Sequence, residues 1–326
     1  MKDKILKFLK EADGYISGQE LCERLGVSRT AVWKVIRQLE SEGYQIEAVR
    51  NRGYRLTDNA DILNEAEIRA AMKSQWLGQH VTFLEETDST NNVVRRMAEQ
   101  GAPEGTLAVA EIQTAGKGRR GRSWSSPKGS GIWHSFLLRP EFAPEHASML
   151  TLLAAMAVQK SVKDVTGLDC KIKWPNDIVV NGKKICGILT EMGLENGKIR
   201  EVIIGIGINV NLEEIQDDLK DKATSLYLET GKKYDRNRVI GLIMEKFEKN
   251  YEKFVKTCDL SLMLDDYNAM LANRSQPVRI LDKLNPYEGI AIGIDREGEL
   301  LVKVADGAIR KVCSGEVSVR GLYSYV

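Results

Sequence analysis

The sequence is short of the residues that announce a metal centre or a disulfide scaffold. Its five cysteines, Cys22, Cys170, Cys186, Cys258 and Cys313, are scattered, odd in number and without a C-x-x-C pair. Such a set predicts reduced thiols and a cytoplasmic location. The three histidines, His80, His134 and His146, make neither a zinc spacing nor a triad with a serine or cysteine, so no side-chain metal site is expected. No run approaches the roughly 20 apolar residues of a membrane span. The opening MKDKILKFLKEADGY interleaves cations with acids and lacks the apolar segment of a signal peptide. An excess of one charge is missing too. With 47 basic and 46 acidic residues the net charge is +1, so any contact with nucleic acid must come from a local patch.

What is present is enough chain for two or three domains, since 326 residues with 43% hydrophobic content can bury a sizeable core. Three segments differ in texture. Residues 1–60 carry the positive charge. Ser17-Gly-Gln-Glu20 predicts a capping box opening QELCERL, which Gly26 ends. Ser28 then caps RTAVWKVIRQLESEGY, in which Ala31, Val32, Val35, Ile36 and Leu39 recur at helical spacing. Two helices joined by a tight turn form a helix-turn-helix, with Ser28, Arg29, Thr30 and Lys34 at the end that meets DNA. The alternating QIEAVRNRGYRLT predicts a hairpin with Arg50 and Arg52 at its tip, a basic wing. The bland alternative is a helical packing module with a solvated charged face; the basic hairpin and local charge favour DNA. TDNADIL reads as a linker, and Asn64 with Glu65 and Glu67 starts a new helix.

Residues 64–271 alternate strand-like runs (VTFLEE, TLAVAEIQ, IWHSFLLRP, KIKWPNDIVV, KKICGILTEM, VIIGIGINVN) with helical stretches. Short links such as Asn181-Gly182 point to an α+β unit on a mixed or antiparallel sheet. Residues 272–326 hold five short alternating runs, the pattern of a small SH3-like β-barrel.

The local anomaly is TAGKGRRGRSW, Thr114 to Trp124. It lacks the Walker order G-x-x-x-x-G-K-[ST] and the strand-then-helix context of a dinucleotide fingerprint. Glycines let backbone approach a ligand and change shape cheaply, and arginine forks suit phosphate and carboxylate. A disordered RNA-binding tract or a solvated loop are the plainer readings. Other stretches converge on a ligand instead. Asp88-Ser89-Thr90-Asn91 follows a strand, and Gln113 precedes the loop. Lys173-Trp174-Pro175-Asn176-Asp177 joins a rigid pair to an amide and a carboxylate. Lys184 sits in GKKICGIL beside Gly187, and GIGINVN ends a strand at Asn209 and Asn211. Singly these are caps and turns.

Together and in this order, DSTN, GKGRRGRSW, KWPND, the lysine of GKKICGIL and GIGINVN resemble the bifunctional biotin–protein ligases that also repress biotin operons. The likeness covers essentially the whole chain. One departure is Lys117, where the family loop usually has arginine; charge is kept and a bidentate fork is lost. The resemblance implies a class II synthetase-like ligase core between the winged helix and the barrel. It implies ATP, Mg²⁺ and biotin, with biotinyl-5′-AMP as both intermediate and corepressor. It implies a carrier domain of acetyl-CoA carboxylase or a similar carboxylase as acceptor, operator DNA of biotin genes, and a homodimer. On this footing Lys184, Arg119 and Asp177 are the expected catalytic residues. Ser89, Thr90, Asn91, Gln113, Lys117, Gly118, Arg119 and Lys184 would meet biotin. Arg119, Arg120, Arg122, Trp124, Lys184 and Asn209 would meet the nucleotide. A pure regulator needs no cation-rich closing loop, and a lipoate or octanoate ligase shares the lysine without the winged helix or KWPND.

Overall fold

A computed structural model describes all residues except 42, 58–60, 282–284, 315–317 and 322–326, with the side chains of 3 and 318–320 also outside the description. The middle of the expected linker TDNADIL and the two ends of EVSVRGL therefore lie outside the described residues. The chain divides into two compact units, Met1–Glu67 and Ile68–Val326.

In the first unit, α1 (Lys2–Glu11), α2 (Gly18–Leu25) and α3 (Arg29–Ser41) precede a hairpin of β1 (Ile46–Val49) and β2 (Gly53–Leu56). Ser17 Oγ accepts the Glu20 N–H at 3.0 Å, which is half of the capping box. The other half is not made, because Glu20 turns instead to Arg24 at 2.5 Å. Gly26 ends α2 in the left-handed region. Ser28 Oγ accepts the Ala31 N–H at 3.2 Å at the start of α3. Leu21, Val32, Val35, Ile36 and Leu39 close a core with Ile5 and Leu9 of α1, so the apolar stripe read from the sequence is the one buried. Asn64 Oδ1 accepts the Glu67 N–H at 2.9 Å and opens α4 (Glu65–Ala71).

The second unit is built on β3 (Val81–Thr87), β4 (Leu107–Gln113), β5 (Gly131–Leu138), β6 (Lys171–Lys173), β7 (Asp177–Val180), β8 (Lys183–Glu195) and β9 (Lys198–Asn209). Among the described residues they form one seven-stranded sheet in the order β3-β4-β5-β9-β8-β7-β6. The β3/β4 pair is parallel and the rest antiparallel, the mixed sheet expected. KIKWPNDIVV, read as one run, is two strands. A turn at Trp174–Asn176, containing the cis Trp174–Pro175 bond, separates β6 from β7 and folds them into a hairpin.

Alternation along the central strands decides where a site can open. Phe136 of β5 meets Phe247 of α8 (Arg236–Thr257) at a centroid distance of 4.7 Å. Its neighbour Leu137 points the other way and joins Ala108 and Ile203 against Val93 and Val94 of α5 (Thr90–Glu99). The long helix α6 (Met149–Thr166), buried around nearly its whole circumference, packs beside α8. Among the described residues the opposite face is covered by α5 alone, ten residues long. In β9 the alternation I-G-I-G-I sends isoleucines to the core and leaves Gly205 and Gly207 on that thinly covered face.

Short helices α7 (Leu226–Thr230) and α9 (Leu264–Met270) flank α8. The chain then forms β10 (Gln276–Leu281), β11 (Tyr287–Ile294), β12 (Leu300–Lys303), β13 (Ile309–Val312) and β14 (Ser318–Gly321). These make an antiparallel sheet in the order β13-β12-β11-β10-β14 among the described residues. It packs in the same unit as the larger sheet. The buried Trp174 indole donates to Gly298 O at 3.1 Å, and Asn273 Oδ1 accepts the Trp174 N–H at 2.9 Å. Among the described residues no helix is long and apolar enough to cross a membrane.

Candidate functional site

The thinly covered face of the sheet holds a pocket floored by Gly187, Gly205 and Gly207 and walled by Ser89, Thr90 and Gln113. Two neighbours, Asn91 and Trp124, require the bare backbone. A Cβ on Gly205 would lie 2.1 Å from Asn91 Oδ1, one on Gly207 would lie 2.7 Å from Trp124 Nε1, and one on Gly187 would lie 2.9 Å from the Trp124 ring. Gly187 and Gly207 are partners across β8 and β9, so the indole rests on a patch of bare peptide. Its Nε1 is buried with no hydrogen-bond partner among the described residues.

The basic loop is folded as a small hairpin. Lys117 bridges Ser123, Gly118 N–H donates to Arg122 O at 2.7 Å, and Trp124 N–H donates to Gly116 O at 2.8 Å. Its tip, Arg119–Gly121, is a single turn in which Arg120 takes φ +59°. Lys117 Nζ donates to Asn92 Oδ1 at 2.6 Å, tying the loop to the first turn of α5. Arg119 donates to Asn176 Oδ1 at 2.8 Å, tying it to KWPND. Burial pulls the Arg119 guanidinium below its ordinary value, and the Asp177 carboxylate opposes that.

Beyond the loop lies a second, larger recess, lined by Arg120, Arg122, Asn209, Lys173, Lys183 and Lys222 among others. Gly118, Arg119, Trp124, Asn176 and Lys184 border both spaces. Lys184 stands on this common wall. Its Nζ pairs with Asp177 at 2.6 Å and lies 5.0 Å from the Trp124 ring centre. Its backbone is fixed on both sides, N–H to Lys222 O at 2.8 Å and C=O to Thr224 N–H at 2.9 Å. A cation so placed can approach two anions at once, one in each space.

All the expected ligand contacts line one space or the other, with two qualifications of detail. Asp177 is engaged with Lys184, which holds the lysine in place. The amide of Asn91 is engaged with Glu191 and Ser135, at 2.7 and 2.6 Å. Asp88 of DSTN faces away: Arg96 holds its carboxyl far below the usual range, aided by Asn92 and the Ser89 N–H. Ser89 is the N-cap residue of α5 but its side chain does not cap, which leaves its hydroxyl to the pocket. Asn209 donates to Thr224 O at 3.0 Å. Asn176 is named in the sequence only as the amide of KWPND, with no ligand role, and Ser126, Ser135 and Glu191 are not marked there. Only Asn176, inside KWPND, carried a signal there; the others are placed by pairing across strands.

In the first unit, Arg29, Thr30 and Lys34 are solvent-exposed on α3, and Arg50 and Arg52 are exposed at the wing. Arg29 also bonds Gln19 Oε1 at 3.0 Å, bracing the turn between α2 and α3. Arg52 and Arg55 stack on Tyr15 at 4.9 Å each. Trp33 had not been singled out. It is 51% exposed on the same face of α3 with Arg37 over its ring at 5.6 Å, and its spacing of four from Arg29 could have marked it.

Among the described residues no three metal-ligating side chains gather. The cation-lined recess fits a polyphosphate, and a divalent ion entering there is best held by phosphate oxygens and water.

Comparison with known proteins adds the following. Residues 83–209 match the biotin/lipoate A/B protein ligase family, residues 2–55 an HTH domain, and residues 276–320 the biotin protein ligase C-terminal domain. The chain is 44% identical to the bifunctional ligase/repressor BirA of Bacillus subtilis, over 98% of each chain. It is 30% identical to that of Escherichia coli, over 97% of this chain and 96% of the other. Biotin protein ligase from Aquifex aeolicus, solved with biotin and ATP, superposes with a TM-score of 0.65 at 34% identity, covering 74% of this chain and 99% of that one.

Proposed function

The chain belongs to the bifunctional ligase/repressor family of biotin protein ligases, and on that footing we propose that Lys184, Arg119 and Trp124 carry its chemistry from the wall they share. The protein is an ATP-dependent biotin–protein ligase and a biotin-responsive, DNA-binding repressor. A carboxylate oxygen of biotin attacks the α-phosphorus of ATP, the bond to pyrophosphate breaks, and biotinyl-5′-AMP forms. The amine of a carrier lysine then attacks the anhydride carbonyl, loses a proton, and AMP departs.

The observation that carries this assignment is the shared wall. Biotin occupies the glycine-floored pocket and ATP the cation-lined recess, so their reacting ends meet at Lys184. Two anions repel, and the cost falls when a preorganised cation faces the charge that develops between them. Asp177 keeps Lys184 extended toward that point. Arg119, Arg120, Arg122 and Lys117 offset phosphate charge, and Trp124 covers the adenylate. Mg²⁺ supplies charge neutralisation on the phosphates. Once the hairpin has ordered over the intermediate it excludes water, and it must lift for the carrier lysine to enter.

The carrier is a biotin-accepting domain of acetyl-CoA carboxylase or a similar carboxylase, and the DNA is an operator of biotin genes. Binding of biotinyl-5′-AMP promotes a homodimer that sets two winged helices on a two-fold operator. The setting is the cytoplasm, a placement supported by cysteines that are scattered along the sequence without a C-x-x-C pair. ATP–pyrophosphate exchange tests the ligase assignment: biotin should drive it and lipoate should not. Exchange with lipoate alone would overturn it. Sedimentation with biotin and ATP tests the dimer; unchanged mass would count against it.

A further inference from the structure

The pocket wall carries a hydrogen-bond chain whose direction is set from outside the pocket. Glu191 of β8 accepts the Asn91 Nδ2–H at 2.7 Å and pairs with Arg95 at 3.1 Å through the same oxygen. A carboxylate can only accept, so the Asn91 amide must turn its nitrogen to Glu191 and its oxygen to Ser135. Ser135 Oγ, fully buried, therefore gives its single proton to Asn91 Oδ1 at 2.6 Å. The 2.7 Å contact between Ser135 Oγ and Thr90 Oγ1 then needs the Thr90 proton. Nothing is left for the 3.1 Å contact between Thr90 Oγ1 and Gln113 Oε1. Gln113 is held the same way round, because its oxygen takes the Thr90 N–H at 2.8 Å and its nitrogen donates to Ser126 Oγ at 2.9 Å. The result is two oxygens side by side on the pocket wall with no proton between them.

We propose that Glu191 is a positioning residue for ligand choice: by fixing the direction of the chain Asn91–Ser135–Thr90 it makes Thr90 and Gln113 a paired acceptor that demands an N–H from the ligand. This rests on the assignment of the pocket to biotin, whose ureido ring brings such N–H groups. The opposite direction would satisfy the wall internally. With Asn91 turned over, its nitrogen would donate to Ser135, Ser135 to Thr90, and Thr90 to Gln113, and no ligand N–H would be required. A donor in place of Glu191 selects that closed direction. An acceptor keeps the open one, and Arg95 favours an oxygen there.

The test is calorimetric binding, without ATP, of biotin and of its two cyclic carbamates in which oxygen replaces one ring N–H. For one of the carbamates the wild-type protein should prefer biotin by about tenfold or more, the worth of one well-made hydrogen bond. Glu191→Gln should keep that preference. The charge-exchanged pair Glu191→Lys with Arg95→Glu should lower it to within about twofold of unity. Should the exchanged pair fail to fold, Ser135→Ala frees the Thr90 proton for Gln113 and should lower it likewise. A preference retained in the folded exchanged pair, or in Ser135→Ala, overturns the proposal. Failure of the wild-type protein to bind biotin would instead overturn the assignment beneath it.

Discussion

Gly207 lies so close beneath Trp124 that a Cβ on the glycine would stand 2.7 Å from the indole nitrogen. The contact makes the far end of the basic hairpin part of the pocket floor's own packing. Gly207→Ala should therefore lift the indole, shift the tryptophan fluorescence, and lower biotin-dependent exchange by about tenfold or more through misplacement of the wall. Unchanged fluorescence with unchanged exchange would show that the indole does not rest there in solution.

Arg119 and Asn176 form the fastening between hairpin and core, at 2.8 Å. Arg119→Ala should leave formation of biotinyl-5′-AMP measurable and hasten its escape. Asn176→Ala should act in the same direction. Stopped-flow release of the intermediate decides it: equal or slower release from the arginine variant contradicts the lid role.

Lys184 and Asp177 differ in kind. Removing the charge that faces both reactants, as in Lys184→Gln, should cut exchange by roughly 10²–10³-fold, the range seen when one preorganised stabiliser is lost. Asp177→Asn keeps the lysine and removes its holder, so the loss should be smaller. A larger effect at Asp177 than at Lys184 would reverse the assigned roles.

His134 is fully buried on β5 with neither ring nitrogen hydrogen-bonded among the described residues, and burial lowers its pKa from 6.5 to about 3. The unfolded chain takes up a proton near pH 6.5 that the folded chain refuses until about pH 3. Stability is thus fully present above the unfolded value and falls as pH drops below it. Each pH unit in that window costs up to about 1.4 kcal/mol. Urea melts at pH 7.5 and pH 5 should show this loss in the wild type and less of it in His134→Leu. Equal losses in the two proteins would place the acid sensitivity elsewhere.

On α3, Lys34 and Trp33 present different chemistry to DNA. Lys34→Ala should reduce the salt slope of binding to a nonspecific duplex by about one, the signature of one phosphate contact. Trp33→Ala should leave that slope alone. A slope unmoved by Lys34→Ala would take the lysine off the phosphate backbone.

Much of this was legible in order. Helical spacing through Val32, Val35, Ile36 and Leu39 fixed which face of α3 is buried, because a stripe at period 3.6 can only pack one way. The run VIIGIGINVN likewise reads as an apolar strand ending in two asparagines, and the turn residues Asn181-Gly182 set the hairpin that delivers Lys184. The cations of TAGKGRRGRSW pointed to an anionic ligand by chemistry, and only the family resemblance gave it as ATP and biotin.

Tertiary structure decided the rest. WPND alone reads as a turn, as found, but the longer run KIKWPNDIVV reads as one strand because nothing local shows that Trp174 will be drawn toward the small sheet, where it bonds Gly298. Ser135 and Glu191 carry no motif; they come to stand behind Thr90 and Asn91 of the pocket wall only because β5, β9 and β8 lie side by side across the sheet. A sequence determines which groups can donate, accept or carry charge. The direction of the hydrogen bonds between them, and so the ligand the wall will take, depends on which distant neighbour each one meets.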